Sequence, residues 1–329
     1  MKTLPTELGG KRIAALLAVY VVWGSTYLGI RIVLETMPPF GSASVRFLLA
    51  GGVFYVWARM RGARRPALAH WRSAAIVGGL LFLGGNGLVV WSQQWLASGV
   101  VAMLVATEPL MIALLLGVWP GETNRPGWRT YAALTVGFAG ALLLASRGGV
   151  ISEEPMPWFG PWMVILATAC WAVGSLYGRD APAPDNAFLT AGMQMFAGGV
   201  WLGALALSRD ELSGLDPGSF SPASVLAFLY LIIFGSMVAF GAYSWLLRTT
   251  HPTVISTYAY VNPVIAVFLG WLLVDEPVDA RTIVASTLIV GAVVVVLERR
   301  GRKASELAVA SPPEPCPLDA EALRRREGS

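Results

Sequence analysis

The sequence predicts an all-α membrane protein of ten transmembrane helices, arranged as two inverted five-helix repeats. Three observations predict it. Of 329 residues, 55% are hydrophobic and only 13% are charged, about half the charged share of ~25% typical of a soluble domain. Apolar runs of about 20 residues, long enough to cross ~30 Å of hydrocarbon, alternate with short polar breaks. Segments of the first half recur in order in the second. Helices are the expected spanning element because they satisfy every backbone polar group internally.

In chain order, residues 1–11 form a short N-terminal segment. The expected spans are Arg12–Glu35, Phe40–Ala58, Ser73–Gln93, Ser98–Trp119 and Trp128–Ser146, then Trp158–Tyr177, Ala187–Leu207, Ala223–Leu247, Thr253–Val274 and Arg281–Leu297. The first run shows no small-residue cleavage site before the polar break at Glu35, so it is read as a retained span. Short connections make neighbouring helices antiparallel and leave no room for a soluble catalytic domain. Residues 12–147 and 158–297 make the two repeats. Residues 298–329, with SPPEPCP from Ser311 to Pro317, read as a disordered tail.

Orientation follows from Lys and Arg placement. With the N-terminus inside, sixteen of these residues fall in inner segments and four in outer ones. Both termini are therefore expected in the cytoplasm, with the helices in a bacterial-type inner (plasma) membrane. The net charge of +4 reads as this topology and not as a nucleic-acid surface. Cys170 and Cys316 offer neither a disulfide framework nor metal-ligand spacing.

The repeat is visible without gaps. A shift of 154 lays Phe82–Pro109 on Ser236–Pro263, so that Gly87 meets Gly241, Trp91 meets Trp245 and Pro109 meets Pro263; further on, Glu122 meets Glu276. A shift of 148 lays WGSTYLGIR (Trp23–Arg31) on WAVGSLYGR (Trp171–Arg179), and one of 152 lays Arg129-Thr130 on Arg281-Thr282. Five spans per repeat is an odd number, so the second repeat crosses in the opposite sense. Secondary transporters are built this way, with the substrate site near the midplane between the halves.

Charges inside spans are costly and point to function. Glu108 is the only carboxylate deep in a span, while Arg46 and Arg31 lie six and four residues from the outer ends of theirs. Either arginine has the reach to approach Glu108, as a structural ion pair or as part of a transport site. The matched positions in the second half are Asn262 and Met193, so one half spans without these charges. Pro109 and Pro263 fall inside corresponding spans, where proline removes a backbone hydrogen bond and kinks a helix. Trp23, Tyr27, Trp91, Trp171, Tyr258 and Tyr260 include rings too deep for an interfacial belt, which leaves pocket lining or buried packing. Asn86 and Asn262 are polar candidates beside them. Gly51-Gly52, Gly78-Gly79, Gly84-Gly85 and Gly198-Gly199 read as close helix contacts.

Enzyme chemistry finds little support, and a membrane-embedded transferase is a distant third reading for want of acid, base and nucleophile candidates. The only histidines, His70 and His251, lie in breaks, and there is no HExxH, GxSxG, P-loop or carboxylate cluster. No metal or cofactor is expected, and without an ATPase motif the driving force is a proton or other gradient, or an exchanged solute.

WGSTYLGIR at Trp23–Arg31, ATEP at Ala106–Pro109 and YAYVNPVIAVFLGWLLVDEP at Tyr258–Pro277 resemble the EamA-type branch of the drug/metabolite transporter superfamily. The resemblance covers roughly residues 12–298. It implies a ten-helix, two-repeat fold with a central cavity and export of small metabolites, amino acids or drugs. The competing reading is a non-transporting membrane receptor or assembly subunit.

Overall fold

A computed structural model of the chain describes residues 6–96, 98–122, 125–145, 159–213 and 215–274, with scattered helical positions between 280 and 295. Every regular element among the described residues is helical. In order these are α1 (Thr6–Val33), α2 (Pro39–Met60), α3 (Leu68–Gly78), α4 (Leu88–Ser92), α5 (Ser98–Val105), α6 (Glu108–Val118) and α7 (Trp128–Ala145). There follow α8 (Gly160–Asp180), α9 (Ala187–Ser208), α10 (Pro222–Tyr230), α11 (Phe240–Thr249), α12 (Pro252–Ile255) and α13 (Tyr258–Val274).

Six helical stretches among the described residues are long and apolar enough to cross a membrane: Gly9–Val33, Pro39–Met60, Leu68–Ser92, Gly160–Asp180, Ala187–Ser208 and Pro222–Thr249. They coincide with six expected spans. The fifth, expected at Trp128–Ser146, is helical through Ala145. The tenth, Arg281–Leu297, and the tail 298–329 lie outside the described residues, apart from the scattered helical positions just mentioned.

Two expected spans are not continuous. The fourth divides into α5 and α6 at Ala106–Thr107, and the ninth into α12 and α13 at Ser256–Thr257. The first break has a steric cause. A helix running through Pro109 would press its ring onto the carbonyl four residues back, which belongs to Val105, and α5 stops there. At both breaks a threonine hydroxyl bonds a local carbonyl, Thr107 Oγ1 to Leu104 O at 2.7 Å and Thr257 Oγ1 to Val254 O at 2.6 Å. Such bonds compete with helix continuation. Pro263 does not mark the second break; it sits inside α13, six residues beyond Thr257.

Two longer stretches contain wide turns. Gly79–Gly87 joins α3 to α4 as a π-helix, and Leu231–Ala239 does the same between α10 and α11. Nothing in the apolar patterning separates these turns from ordinary α-helix. Insertions of this kind often occur at functional sites.

The tightest helix pair is α2 against α9, antiparallel. A Cβ on Gly51 would lie 2.5 Å from the Phe196 nitrogen, and one on Gly192 would lie 2.8 Å from the Tyr55 nitrogen, so the two backbones touch. Glu211, just past α9, accepts from the backbone N–H groups of Phe40 and Gly41 at 2.9 Å each. It thereby caps α2 and complements its dipole. The expected glycine contacts are real in one member of some pairs only: Gly51 is in close contact, whereas Gly52 has open space around it. On the far side of α2, Val45, Leu49, Val53 and Val56 are exposed at helical spacing, as a lipid-facing stripe requires.

The main core packs Val19, Tyr20 and Trp23 of α1 against Phe240, Tyr243 and Leu246 of α11 and Ile255 and Tyr258 beside the second break. Elements from both halves of the chain thus build one interior.

Candidate functional site

That interior contains a cavity enclosing about 690 Å³ of empty space, counting the part open to solvent. Its walls come from most of the bundle. Along α1 the lining runs from Trp23 through Thr26 and Tyr27 to Ile30, in the C-terminal part of the helix; on α2 it is Arg46 and Phe47, near the N-terminus. The first π-turn contributes Phe82, Gly85 and Asn86, the second Gly235, and α8 contributes Ala167, Thr168 and Trp171. The two breaks bring Glu108, Tyr258 and Asn262. The cavity therefore extends from about halfway along the helices toward the end of the bundle where α1 finishes and α2 begins.

The floor is aromatic. Trp23 lies edge-on to Trp171 at 5.5 Å and to Tyr258 at 4.7 Å between ring centroids, and tilted against Tyr243 at 5.0 Å. Below it, Ser175 Oγ and the Tyr243 hydroxyl are hydrogen-bonded at 2.5 Å, and the Tyr20 hydroxyl and Thr257 Oγ1 at 2.6 Å. Trp23 Nε1 donates to the Gly235 carbonyl at 3.1 Å. Passage toward the opposite end of the bundle requires these contacts to separate.

Glu108 is the first residue of α6 and Tyr258 the first of α13. The residues that restart the helix after each break meet, with the Tyr258 hydroxyl donating to Glu108 Oε2 at 2.5 Å. The gap-free shift of 154 had paired Glu108 with Asn262; the breaks, displaced from each other by 150 positions, pair it with Tyr258. Glu108 is 2% exposed, and its other oxygen, Oε1, has no hydrogen-bond partner.

Arg46 is 5% exposed. Its Nε donates to Ser236 Oγ at 2.7 Å, and its guanidinium carbon sits 4.7 Å from the centroid of the Phe47 ring. A Cβ at Gly235 would approach its Nη2 to 3.0 Å, so the bare glycine makes room for the group. Arg46 and Glu108 share the cavity but form no ion pair with each other. Arg31, near the end of α1, is not part of the lining.

Other polar atoms in the walls are likewise buried without a hydrogen bond: Asn86 Oδ1, Trp171 Nε1 and the Asn262 side-chain amide. Of the residues singled out from the sequence, Glu108, Arg46, Trp23, Tyr27, Asn86, Trp171, Tyr258 and Asn262 converge on the cavity. Trp91 and Tyr260 do not. Trp91 packs with Trp95 at 5.7 Å beneath the Arg209 guanidinium, and the Tyr260 hydroxyl bonds the Leu134 carbonyl at 2.8 Å. Pro109 sits in the first turn of α6, where a missing N–H is harmless. Sequence reasoning missed Ser236, Thr168 and Tyr243. Small hydroxyls and aromatics are common in every span, and only the two π-turns and the long-range packing single these out. No group of acidic, histidine or cysteine side chains suited to a metal occurs among the described residues.

The model of the EamA-like transporter family matches the chain twice, over residues 11–146 and 158–298. The Uncharacterized inner membrane transporter YedA of Escherichia coli is 37% identical over 283 residues, covering 86% of this chain and 89% of that protein. An uncharacterized transporter of Archaeoglobus fulgidus is 28% identical over 83% of this chain and 92% of its own length, and Protein PecM of Dickeya dadantii 26% identical over 84% and 88%. A solved crystal structure superposes with a TM-score of 0.70 at 20% identity, covering 88% of this chain and 98% of the other; that likeness concerns the fold. With the family matched across both halves and a relative more than a third identical over nearly its full length, the chain belongs to the EamA-like transporters of the drug/metabolite transporter superfamily: an integral membrane transporter of small molecules, not an enzyme.

Proposed function

We propose that the chain is a secondary transporter that exports small metabolites, amino acids or amphipathic drug-like solutes, by alternating exposure of the central cavity. The observation that carries this reading is the combination inside that cavity of aromatic walls with buried polar atoms that lack partners, Glu108 Oε1, Asn86 Oδ1 and the Asn262 amide. Buried polar groups in native proteins are almost always hydrogen-bonded, and a few convergent polar groups in an apolar hollow are what a solute site requires.

On this reading the full architecture is ten spans in two inverted repeats, 12–147 and 158–297, with both termini cytoplasmic. The double family match and the paired breaks and π-turns support it. The cavity mouth, at the end of α1 and the start of α2, then faces outward. An inner (plasma) membrane location is supported by the printed name of YedA. Driving force comes from protons or an exchanged solute, with Glu108 the candidate for coupling.

Uptake of radiolabelled amino acids and amphipathic drugs into proteoliposomes tests the proposal. Saturable flux above that of protein-free vesicles is expected. Ligand binding with no flux across the whole panel would favour the receptor reading instead.

A further inference from the structure

One face of α8 runs from the floor of the cavity to the end of the bundle away from its mouth. Trp171, Ser175 and Arg179 stand four residues apart on that face, about 6 Å apart along the helix. Trp171 meets Trp23 in the floor, and Ser175 bonds Tyr243 beneath it. Arg179 ends the series. Its Nη1 donates to Glu122 Oε2 at 2.9 Å, while Nε and Nη2 grip Asp180 Oδ1 and Oδ2 at 2.7 and 2.9 Å. Asp180 Oδ2 in turn accepts from Trp119 Nε1 at 2.9 Å. Arg179 and Asp180 finish α8, in the second repeat, whereas Trp119 and Glu122 follow α6, in the first. Two bonds thus cross between the repeats at the closed end.

The repeat places the same series on α1, since the shift of 148 lays Trp23, Tyr27 and Arg31 on Trp171, Ser175 and Arg179. There the face is open. Tyr27 lines the cavity, and among the described residues the Arg31 side chain forms no ion pair or hydrogen bond. One chain therefore holds two versions of the same face, closed on α8 and open on α1, toward opposite ends of the bundle.

We infer that Arg179 and Glu122 form a latch between the repeats that holds the closed end of the cavity shut, and that must part for that end to open. The inference rests on the alternating-exposure reading, because rocking of one repeat against the other is what draws Glu122 from Arg179. The two side chains are 21% and 8% exposed, so water screens the pair in part. The fork between Arg179 and Asp180 holds the guanidinium in place for Glu122. A pair of this kind shifts an equilibrium by about two- to fivefold, which biases two states without locking either.

The test reads which end of the cavity is open. The full-length chain carries Asn86→Cys in the cavity wall, with Cys170 and Cys316 replaced by alanine, and a membrane-impermeant thiol reagent is applied to right-side-out and inverted vesicles. This parent should react mainly from the mouth face. Arg179→Gln and Glu122→Gln should each raise the rate from the opposite face by about two- to fivefold and leave the mouth-face rate nearly unchanged. Arg179→Lys keeps the charge and should stay closer to the parent. An unchanged rate from the opposite face, or rates that rise equally from both faces as in a loosened fold, overturns the latch. In a second arm without Asn86→Cys, Glu122→Cys and Arg179→Cys are bridged by a reducible bifunctional thiol reagent. Bridging should stop flux and reduction restore it; failure to bridge, or bridging with flux intact, overturns the latch, and this arm decides if the glutamine variants do not fold. The expected shift in labelling without flux of any panel solute would overturn transport and leave the latch standing. Flux with labelling unmoved would do the reverse.

Discussion

The contact between Tyr258 and Glu108 joins the two helix breaks, and Tyr258→Phe removes it with little else. Phenylalanine keeps the ring, so the packing of Tyr258 on Trp23 at 4.7 Å and on Tyr243 at 6.1 Å is retained. What is lost is the hydroxyl that donates to Glu108 Oε2 at 2.5 Å. Among the described residues the Glu108 side chain makes no other hydrogen bond, and its Oε1 is unpartnered. A buried hydrogen bond contributes about 1 kcal/mol when both partners are neutral and ~1.5–3 kcal/mol when one is charged, so Tyr258→Phe should destabilise the chain by about 1–3 kcal/mol. In a Glu108→Leu background the hydroxyl has lost its acceptor, and the same change should cost nothing or stabilise slightly. The predicted coupling is therefore at least ~1 kcal/mol, well above the ~0.5 kcal/mol within which independent sites add. Reversible unfolding in mixed micelles, followed by helical ellipticity for the four members of the cycle, measures it. Equal costs of Tyr258→Phe in both backgrounds would refute the contact and the joining of the breaks through it.

Three further predictions rest on other parts of the structure. Gly51→Ala places a Cβ 2.5 Å from the Phe196 backbone nitrogen and should lower stability by about 1–3 kcal/mol, whereas Gly52→Ala meets nothing within 4 Å and should be neutral; thermal melts of the two in detergent check the order. Arg179 pairs with Glu122 at 2.9 Å and Asp180 at 2.7 Å in a partly exposed cluster, so Arg179→Gln should cost less than about 1 kcal/mol, and a large loss in the same melts would show a deeper role for the cluster. Single cysteines at Arg64 and Asp216 should label from opposite faces of the membrane in intact cells and inverted vesicles, and labelling from one face would overturn the expected topology.

The long spans were legible because burial of a helix in lipid demands an unbroken apolar run, and α1, α2, α8 and α9 carry one each. Arg46 and Glu108 were legible for the converse reason: a charge in such a run is costly enough to need a purpose. The interruptions were not. Runs such as SGVVAMLVATEP are equally apolar whether or not the helix continues, and only Pro109 hints at the break before it. Pro263 gives the same hint and misleads, since its helix starts five residues earlier at Tyr258. The π-turns leave no mark in composition. The correspondence between halves was legible in outline, but matched positions need not touch: Glu108 matches Asn262 along the sequence, while the residue that bonds it is Tyr258. The ion pair weighed between Arg46 and Glu108 fails because Arg46 turns to Ser236, a long-range contact that no spacing encodes.

The central claim is that solute crosses the membrane through the cavity walled by Glu108, Asn86 and Trp171. It is tested most directly by Asn86→Cys in a chain whose Cys170 and Cys316 are replaced by alanine, reconstituted in proteoliposomes and treated with a thiol reagent while flux of a panel substrate is recorded. Modification should stop flux, saturating substrate should slow the modification, and a control cysteine at the exposed Leu226 should show neither effect. Complete modification at residue 86 with flux unchanged would contradict the account.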